Sequence, residues 1–560
     1  MSARSHAASG ERLAIGGTVL AVVGLVVVPL VRLVRASAEA GGASLGRVLH
    51  SPGIATAAWH TVFLAAAVTA IAVPLGVALA LLLRRADLPA RGALRIAAVL
   101  PLVVPQFVLG YSWTQAYGRA GFTDTLLSLR WDGLTGPAGI IVVLVVNAAP
   151  VSFLLAGVGL ATRAQPELER AARASGARPA AVLRTVTLPL LRPAIAAACV
   201  LIFVSTLESF AVPQILGTPA GFATLTTRIY ADLALGSNPD AFTDAITLAL
   251  GLVILAAVIL IPADLVLAPR LRADRDGQPA GPVLPRRRTW RSWSVAAAVV
   301  GYVAVVIAVP TASLLAASVN RAVGLTPSPG NWTLDNFRLA LDGTFGAALR
   351  NSLELAATAA TVLVVLGAIV GVLERHRTGR ILATVSTLSF VIPGSTLAVG
   401  LLIAYGNWLG GGLTLILLAY LAKLWALAHR PISGALDRFP GSEWSAARTS
   451  GARTAAAVRT VWIPAMAPAL VGGWLLTFVT ALHEVTMSSL LYGPDSQTLA
   501  VEVLNSQELG TVGRTAALSV VLTVLLIVPA VPAWVVLRLL RRDRPARNPI
   551  APAPEVSVAR

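Results

Sequence analysis

"AARASGARPAAVLRTVTLPLLRPA", Ala171 to Ala194, returns as "AARTSGARTAAAVRTVWIPAMAPA", Ala446 to Ala469, with 15 of 24 positions identical. A chain that writes one stretch twice, 275 residues apart, is assembled from two copies of a larger unit. Read locally, "ELERAARASG" is a short helix, and Gly176 suits the left-handed position that closes it. Pro179 fits the first turn of a following helix, "PAAVLRTVTL". The stretch predicts a helix, a sharp turn and a second helix, with little side chain on the alanines and glycine to keep another surface away.

Outward from this repeat the sequence is apolar. Hydrophobic residues make up 56% of the 560 and charged residues only 12%, against about 25% charged in soluble domains. Runs long enough to cross a bilayer fall at about 12–33, 57–83, 96–117, 138–161, 186–211, 241–268, 293–317, 351–373, 381–404, 410–428, 460–482 and 515–540. The net charge of +18 follows the positive-inside rule. With the N-terminus inside, the cytoplasmic side holds 34 of the 44 Lys+Arg, so the arginines read as topology anchors and no nucleic-acid partner is expected. Both termini are then cytoplasmic, and lipid surrounds the spans. Arg4 and Arg12 precede an apolar run too long for a signal peptide, so a retained first helix is expected despite "ASA" at 36–38. Cys199 is the one cysteine, which excludes a disulfide within the chain.

The Arg- and Pro-rich segment 270–291 divides the chain into a first half, 1–269, with an extra leading helix, and a second half, 292–545, followed by a tail, 546–560. "HTVFLAAAVTAIAVPLG" from His60 answers "NSLELAATAATVLVVLG" from Asn351, and "TLTTRIY" from Thr224 answers "TLAVEVL" from Thr498. The halves run in the same direction with about six spans each, so a pathway is expected where they meet. The repeated stretch lies between the fourth and fifth spans of each half, on the arginine-rich side.

This arrangement resembles the EAA loop of permease subunits in binding-protein-dependent ABC importers. Ala171, Ala172, Gly176, Leu188 and Pro189 match its pattern in the first half, and Ala446, Ala447, Gly451, Ile463 and Pro464 in the second. The family's glutamate is replaced by Arg170 and Ser445, with Glu169 and Glu443 nearby but off register. The resemblance implies an all-α polytopic membrane protein of about 12 transmembrane helices, built as two tandem type I importer (MetI-like) permease halves in a bacterial plasma (inner) membrane. It implies that each loop docks on one of two copies of an ATP-binding subunit, while an extracytoplasmic binding protein presents substrate. No "GxxxxGK[ST]" phosphate loop occurs, and Lys423 is the only lysine, so ATP belongs to the partner, no cofactor is expected on this chain, and the chain is no enzyme.

Ionisable residues near the spans are candidates for the substrate path, because charge in lipid is costly. Glu208 in "STLESFAVPQILG" and His483 and Glu484 in "TALHEVTMSSLLYG" end the fifth span of each half. They either line the path or sit at the outer interface and cap helices. Pro105 and Pro393 are expected to bend helices; Tyr111 and Trp113 line a path or anchor an interface. The fused plan, with "HEVTMSSLLYGP" resembling a diverged "ELPATLLLRP", is similar to iron(III) permeases, and fused permeases for thiamine, phosphonate or polyamine share it. No metal-ligand set can be assigned. An ion-driven secondary transporter would share the symmetry but gives no reason for two matched partner loops. Six scattered histidines and the lack of a nucleophile elbow leave little for a membrane enzyme.

Overall fold

A computed structural model describes residues 15–39, 46, 52–85, 88–162, 166–236, 238, 240–272, 290–374, 376–439 and 441–529. Most of the linker 270–291, all of the tail 546–560, and Arg4 and Arg12 lie outside them. The first half runs α1 (Ile15–Glu39), α2 (Pro52–Arg85), α3 (Arg91–Val103), α4 (Gln106–Tyr117), α5 (Pro137–Thr162), α6 (Pro166–Ala174), α7 (Pro179–Leu207), α8 (Leu225–Tyr230) and α9 (Ala241–Arg272). The second repeats the order: α10 (Ser292–Val319), α11 (Phe345–Leu373), α12 (Arg377–Ser389), α13 (Gly394–Leu409), α14 (Leu413–Lys423), α15 (Trp425–Leu436), α16 (Gly441–Thr449), α17 (Thr454–Leu482), α18 (Leu499–Glu508) and α19 (Val512–Ile527).

Among the described residues nine helices are long and apolar enough to cross a membrane, or ten if α3 and α4 form one span. Three of the expected spans differ from simple rods. That at 96–117 is bent by 101° between α3 and α4, that at 381–404 is broken between α12 and α13, and only Val512–Ile527 is described of the last. The cause of the first two breaks is shared. Pro105 and Pro393 have extended ψ, 139° and 136°, and each starts a new helix rather than kinking an old one.

Within each half the second helix is the hub: α2 packs on α5 and α7, and α11 on α15 and α17. Lipid offers no hydrophobic drive between helices, so close backbone approach over small residues must supply the contact. A Cβ on Gly76 would lie 2.4 Å from the Ala149 carbonyl oxygen, and one on the equivalent Gly367 would lie 3.1 Å from the His429 Cα. Polar neighbours on the same helices tie down the segment that returns toward the membrane. Thr61 Oγ1 accepts from the Leu225 amide (2.9 Å) and its counterpart Ser352 Oγ from Leu499 (2.7 Å). His60 Nδ1 bonds the Ala223 carbonyl, and Asn351 Nδ2 donates to the carbonyls of Asp495 and Gln497.

The two leading helices are exchanged. α1 lies on α9 of its own half and on α13 of the other, while α10 lies on α19 and on α4. Both contain a π-helical turn, Val23–Val27 and Ala304–Ala308, ending two residues before a proline, Pro29 and Pro310. A proline ring crowds the carbonyl four residues back and has no N–H to give, and the wider turn relieves the crowding. In this register Pro29 would have bonded Gly24 and Pro310 would have bonded Val305. A tyrosine from the opposite half replaces the missing donor: Tyr405 Oη donates to the Gly24 carbonyl (2.7 Å) and Tyr117 Oη to that of Val305 (2.6 Å).

Candidate functional site

The two repeated loops fold alike. α6 and α16 end at Gly176 and Gly451, with φ of +82° and +83°. The Gly176 amide donates to Arg173 (3.0 Å) and the Ala177 amide to Ala172 (3.0 Å), and Gly451 and Ala452 donate likewise to Arg448 (3.2 Å) and Ala447 (3.1 Å). This paired pattern closes a helix on a left-handed residue. Ala171, Arg170, Gly176, Ser445, Ala446 and Gly451 are exposed, whereas Ala172 and Ala447 are half-buried. No side chain or backbone lies within 4 Å of a Cβ placed on either glycine, so both turns present bare backbone outward.

The expected second helix is not a separate piece. It continues through a π turn, Leu183–Thr187 or Val458–Trp462, into the fifth span, so that Leu188 and Pro189, and Ile463 and Pro464, lie inside α7 and α17. One contact clips the first loop alone. Thr187 Oγ1 donates to Glu169 Oε1 (2.9 Å), which clips α6 against the root of α7, and the counterpart of Thr187 is Trp462, which has no hydroxyl.

At the other end of these rods the structure separates the three path candidates. Glu484 caps the short helix Ser488–Leu491, accepting from the Met487 amide (2.8 Å) and from the amide and hydroxyl of Ser488 (3.1 and 3.0 Å). His483 turns back on its own helix, with Nδ1 2.6 Å from the Val479 carbonyl oxygen. Glu208 crosses the seam. Its Oε2 accepts from Lys423 Nζ of the second half at 2.6 Å.

Lys423 also donates to the carbonyls of Phe390 and Ile392, both at 2.7 Å. These carbonyls lie in the break before Pro393, where the helix leaves them without amide partners. Three tetrahedral donors thus meet three acceptors, a geometry that an ammonium satisfies and a planar guanidinium does not. The first half covers the matching break with neutral groups of its own. Asn147 Nδ2 donates to Pro101 (3.2 Å), Gln106 Nε2 to Asn147 Oδ1 (3.0 Å), and Ser209 Oγ to Gln106 Oε1 (3.2 Å).

Nearer the ends of the spans, Glu508 of the second half accepts from Gln214 Nε2 (3.1 Å) and Tyr230 Oη (3.2 Å) of the first. Tyr111 and Trp113 neither line an open path nor anchor in lipid. They are buried and donate across the seam to the carbonyls of Val512 (2.9 Å) and Val306 (3.3 Å). Where α4 crosses α10, a cavity of about 320 Å³ is lined by Gln115, Asn320, Arg321, Asn336 and Val512 among others. Among the described residues no three His, Cys, Asp or Glu side chains converge as metal ligands.

The family model described as "Binding-protein-dependent transport system inner membrane component" matches the chain twice, at residues 72–272 and 363–543. The chain belongs to this family. Its two matches start as far apart as His60 and Asn351, so the repeat read from short motifs is the repeat of the whole permease unit. The permease is 24% identical over 496 residues to the ferric transport system permease protein FbpB of Actinobacillus pleuropneumoniae, covering 86% of this chain and 71% of the relative. It is 27% identical over 493 residues to the probable ABC transporter permease protein y4fN of Sinorhizobium fredii, covering 82% and 84%. The molybdenum transport system permease protein ModB of Mycobacterium bovis is 33% identical over 216 residues, 80% of that relative but only 38% of this chain. The permease is thus a multi-pass membrane protein of two fused units, with function in transport and not in catalysis.

In the sequence Lys423 stands out only as the single lysine, and neither it nor Gln106 nor Asn147 reads as part of the seam. The signal for the first was available: a lone lysine inside an apolar run is a functional candidate by the same rule that selected Glu208.

Proposed function

We propose that this permease is the membrane subunit of a ferric iron importer, with its two turns at Gly176 and Gly451 each seated on one copy of a separate ATP-binding subunit. The observation that carries the reading is the duplication of one cap geometry on two exposed, small-residue turns. A symmetric pair of motor subunits requires two docking points, and a linker between spans requires neither the same φ nor the same bonds. The sequence carries no phosphate loop, which supports ATP hydrolysis on a partner. The arginine distribution supports cytoplasmic turns and termini in a plasma membrane, with an extracytoplasmic binding protein on the opposite face. The cargo assignment draws on the ferric transport relatives that span most of the chain.

Purification from native membranes, followed by uptake into proteoliposomes, tests both levels. Recovery of an ATP-binding subunit and ATP-dependent uptake of Fe(III) with the companion binding protein are expected. Uptake of thiamine, phosphonate, polyamine or molybdate instead would overturn the cargo. Transport driven by an ion gradient with no ATP-binding subunit would overturn the coupling, as would full transport after deletion of Gly176 and Gly451 together.

A further inference from the structure

Glu208 is the tip of a rod rooted on one coupling turn, and Lys423 lies inside the span Leu413–Leu436, which leads to the other. α7 runs unbroken for 29 residues from Pro179, three residues beyond Gly176, to Leu207, and Glu208 is its C-terminal cap. At 1.5 Å per residue this is a lever of roughly 43 Å. On the other side, Lys423 ends α14 at the break with α15, and α15 leads to α16 and the turn at Gly451. The ion pair therefore joins the far end of the lever from one turn to the middle of the span that leads to the other.

We infer that the Glu208–Lys423 pair is the latch of the seam between the halves, held in the conformation described here and parted when the two turns move relative to one another. Three observations carry this. The bond is asymmetric: His483, the counterpart of Glu208, folds back on Val479, and the first half covers its own helix break with Asn147, so the fold of a half does not need it. The release is partial, because Lys423 keeps the Phe390 and Ile392 carbonyls of its own half when Glu208 departs. The carboxylate is the more exposed member of the pair, its side chain 21% exposed against 9% for Lys423. Glu208 is thus a positioning residue that sets when the seam opens.

The latch rests on the reading that the turns dock ATP-binding subunits, and the test separates the two. In the complex with those subunits, on a Cys199→Ser background, Glu208→Cys and Lys423→Cys are cross-linked by a short bis-maleimide. The cross-linking rate is expected to differ about ten-fold or more between nucleotide-free and vanadate-trapped complex, and the link is expected to abolish transport. Equal rates in both states, or transport through the linked seam, overturn the latch. Glu208→Gln supplies a readout that keeps the acceptor: replacing a charge-assisted bond by a neutral one favours parting by about ten-fold, so ATP hydrolysis without cargo should rise by a comparable factor. Unchanged basal hydrolysis overturns the latch. Failure to recover ATP-binding subunits removes the docking reading and the latch together, whereas recovered subunits with invariant cross-linking remove the latch alone.

Discussion

Gly76 and Gly367 hold the same place in the two halves, yet their tolerance differs in a calculable way. An alanine Cβ at 76 meets a backbone carbonyl at 2.4 Å, at 367 it meets backbone at 3.1 Å, and at Gly251 it meets nothing within 4 Å. Overpacking against backbone costs about 1–3 kcal/mol. Thermal unfolding in detergent should therefore rank Gly76→Ala as most destabilising, Gly367→Ala as intermediate, and Gly251→Ala as neutral to within about 0.5 kcal/mol; a different order would mean that the helices repack. Both glycines were visible as the last letters of matched motifs, but what they touch was not, because sequence gives the partner helix no register. The same limit hid the Glu208 contact. Its residue type and depth made it a candidate, whereas its partner lies 215 positions away and became legible only when the seam placed two helix ends together. Glu484, one position from the alignment with Glu208, instead caps a helix, a local use that outcompetes a distant one where backbone amides lie within reach.

At the scale of the element, the prolines of this chain act on the turns ahead of them. Five of the six π turns among the described residues, at Val23–Val27, Leu183–Thr187, Pro213–Gly217, Ala304–Ala308 and Val458–Trp462, end two residues before proline, and the sixth, Ala231–Leu235, does not. In α1 and α10 the orphaned carbonyl is filled by tyrosine from the other half. Removing either hydroxyl leaves a carbonyl without a donor, at about 1–2 kcal/mol. Tyr117→Phe and Tyr405→Phe should lower the unfolding temperature by similar amounts, and the double variant by their sum, since the sites share no partner. Unequal effects would show that water fills one carbonyl. Sequence patterning located these helices but not the pairing, because hydropathy reports that a segment is apolar and says nothing of which carbonyl lacks a donor. It also drew 96–117 and 381–404 as single spans, since apolar residues continue through Pro105 and Pro393 and mask two breaks.

In the whole molecule, the exchanged leading helices make the two units one body. Cutting the chain inside 273–289 and expressing the pieces together should give two fragments that co-purify and transport, held by α1 on α13 and α10 on α4. Fragments that separate on extraction would refute the exchange. The two-unit plan was legible from one repeated stretch because a loop that must fit a partner twice tolerates less drift than lipid-facing spans, which need only remain apolar. The exchange was not, since both units match the same pattern whichever neighbour their first helix chooses.

That exchange also sets an order of events at synthesis. α1 is finished at Glu39, and the surface it covers on α13 begins at Gly394, roughly 350 residues later. At about 5–20 residues per second, the first helix waits on the order of 20–70 s for its seat. Through that interval the carbonyl of Gly24 has no tyrosine, and the nascent first unit needs lipid, a chaperone or the insertion machinery to shield a helix whose final neighbour does not yet exist.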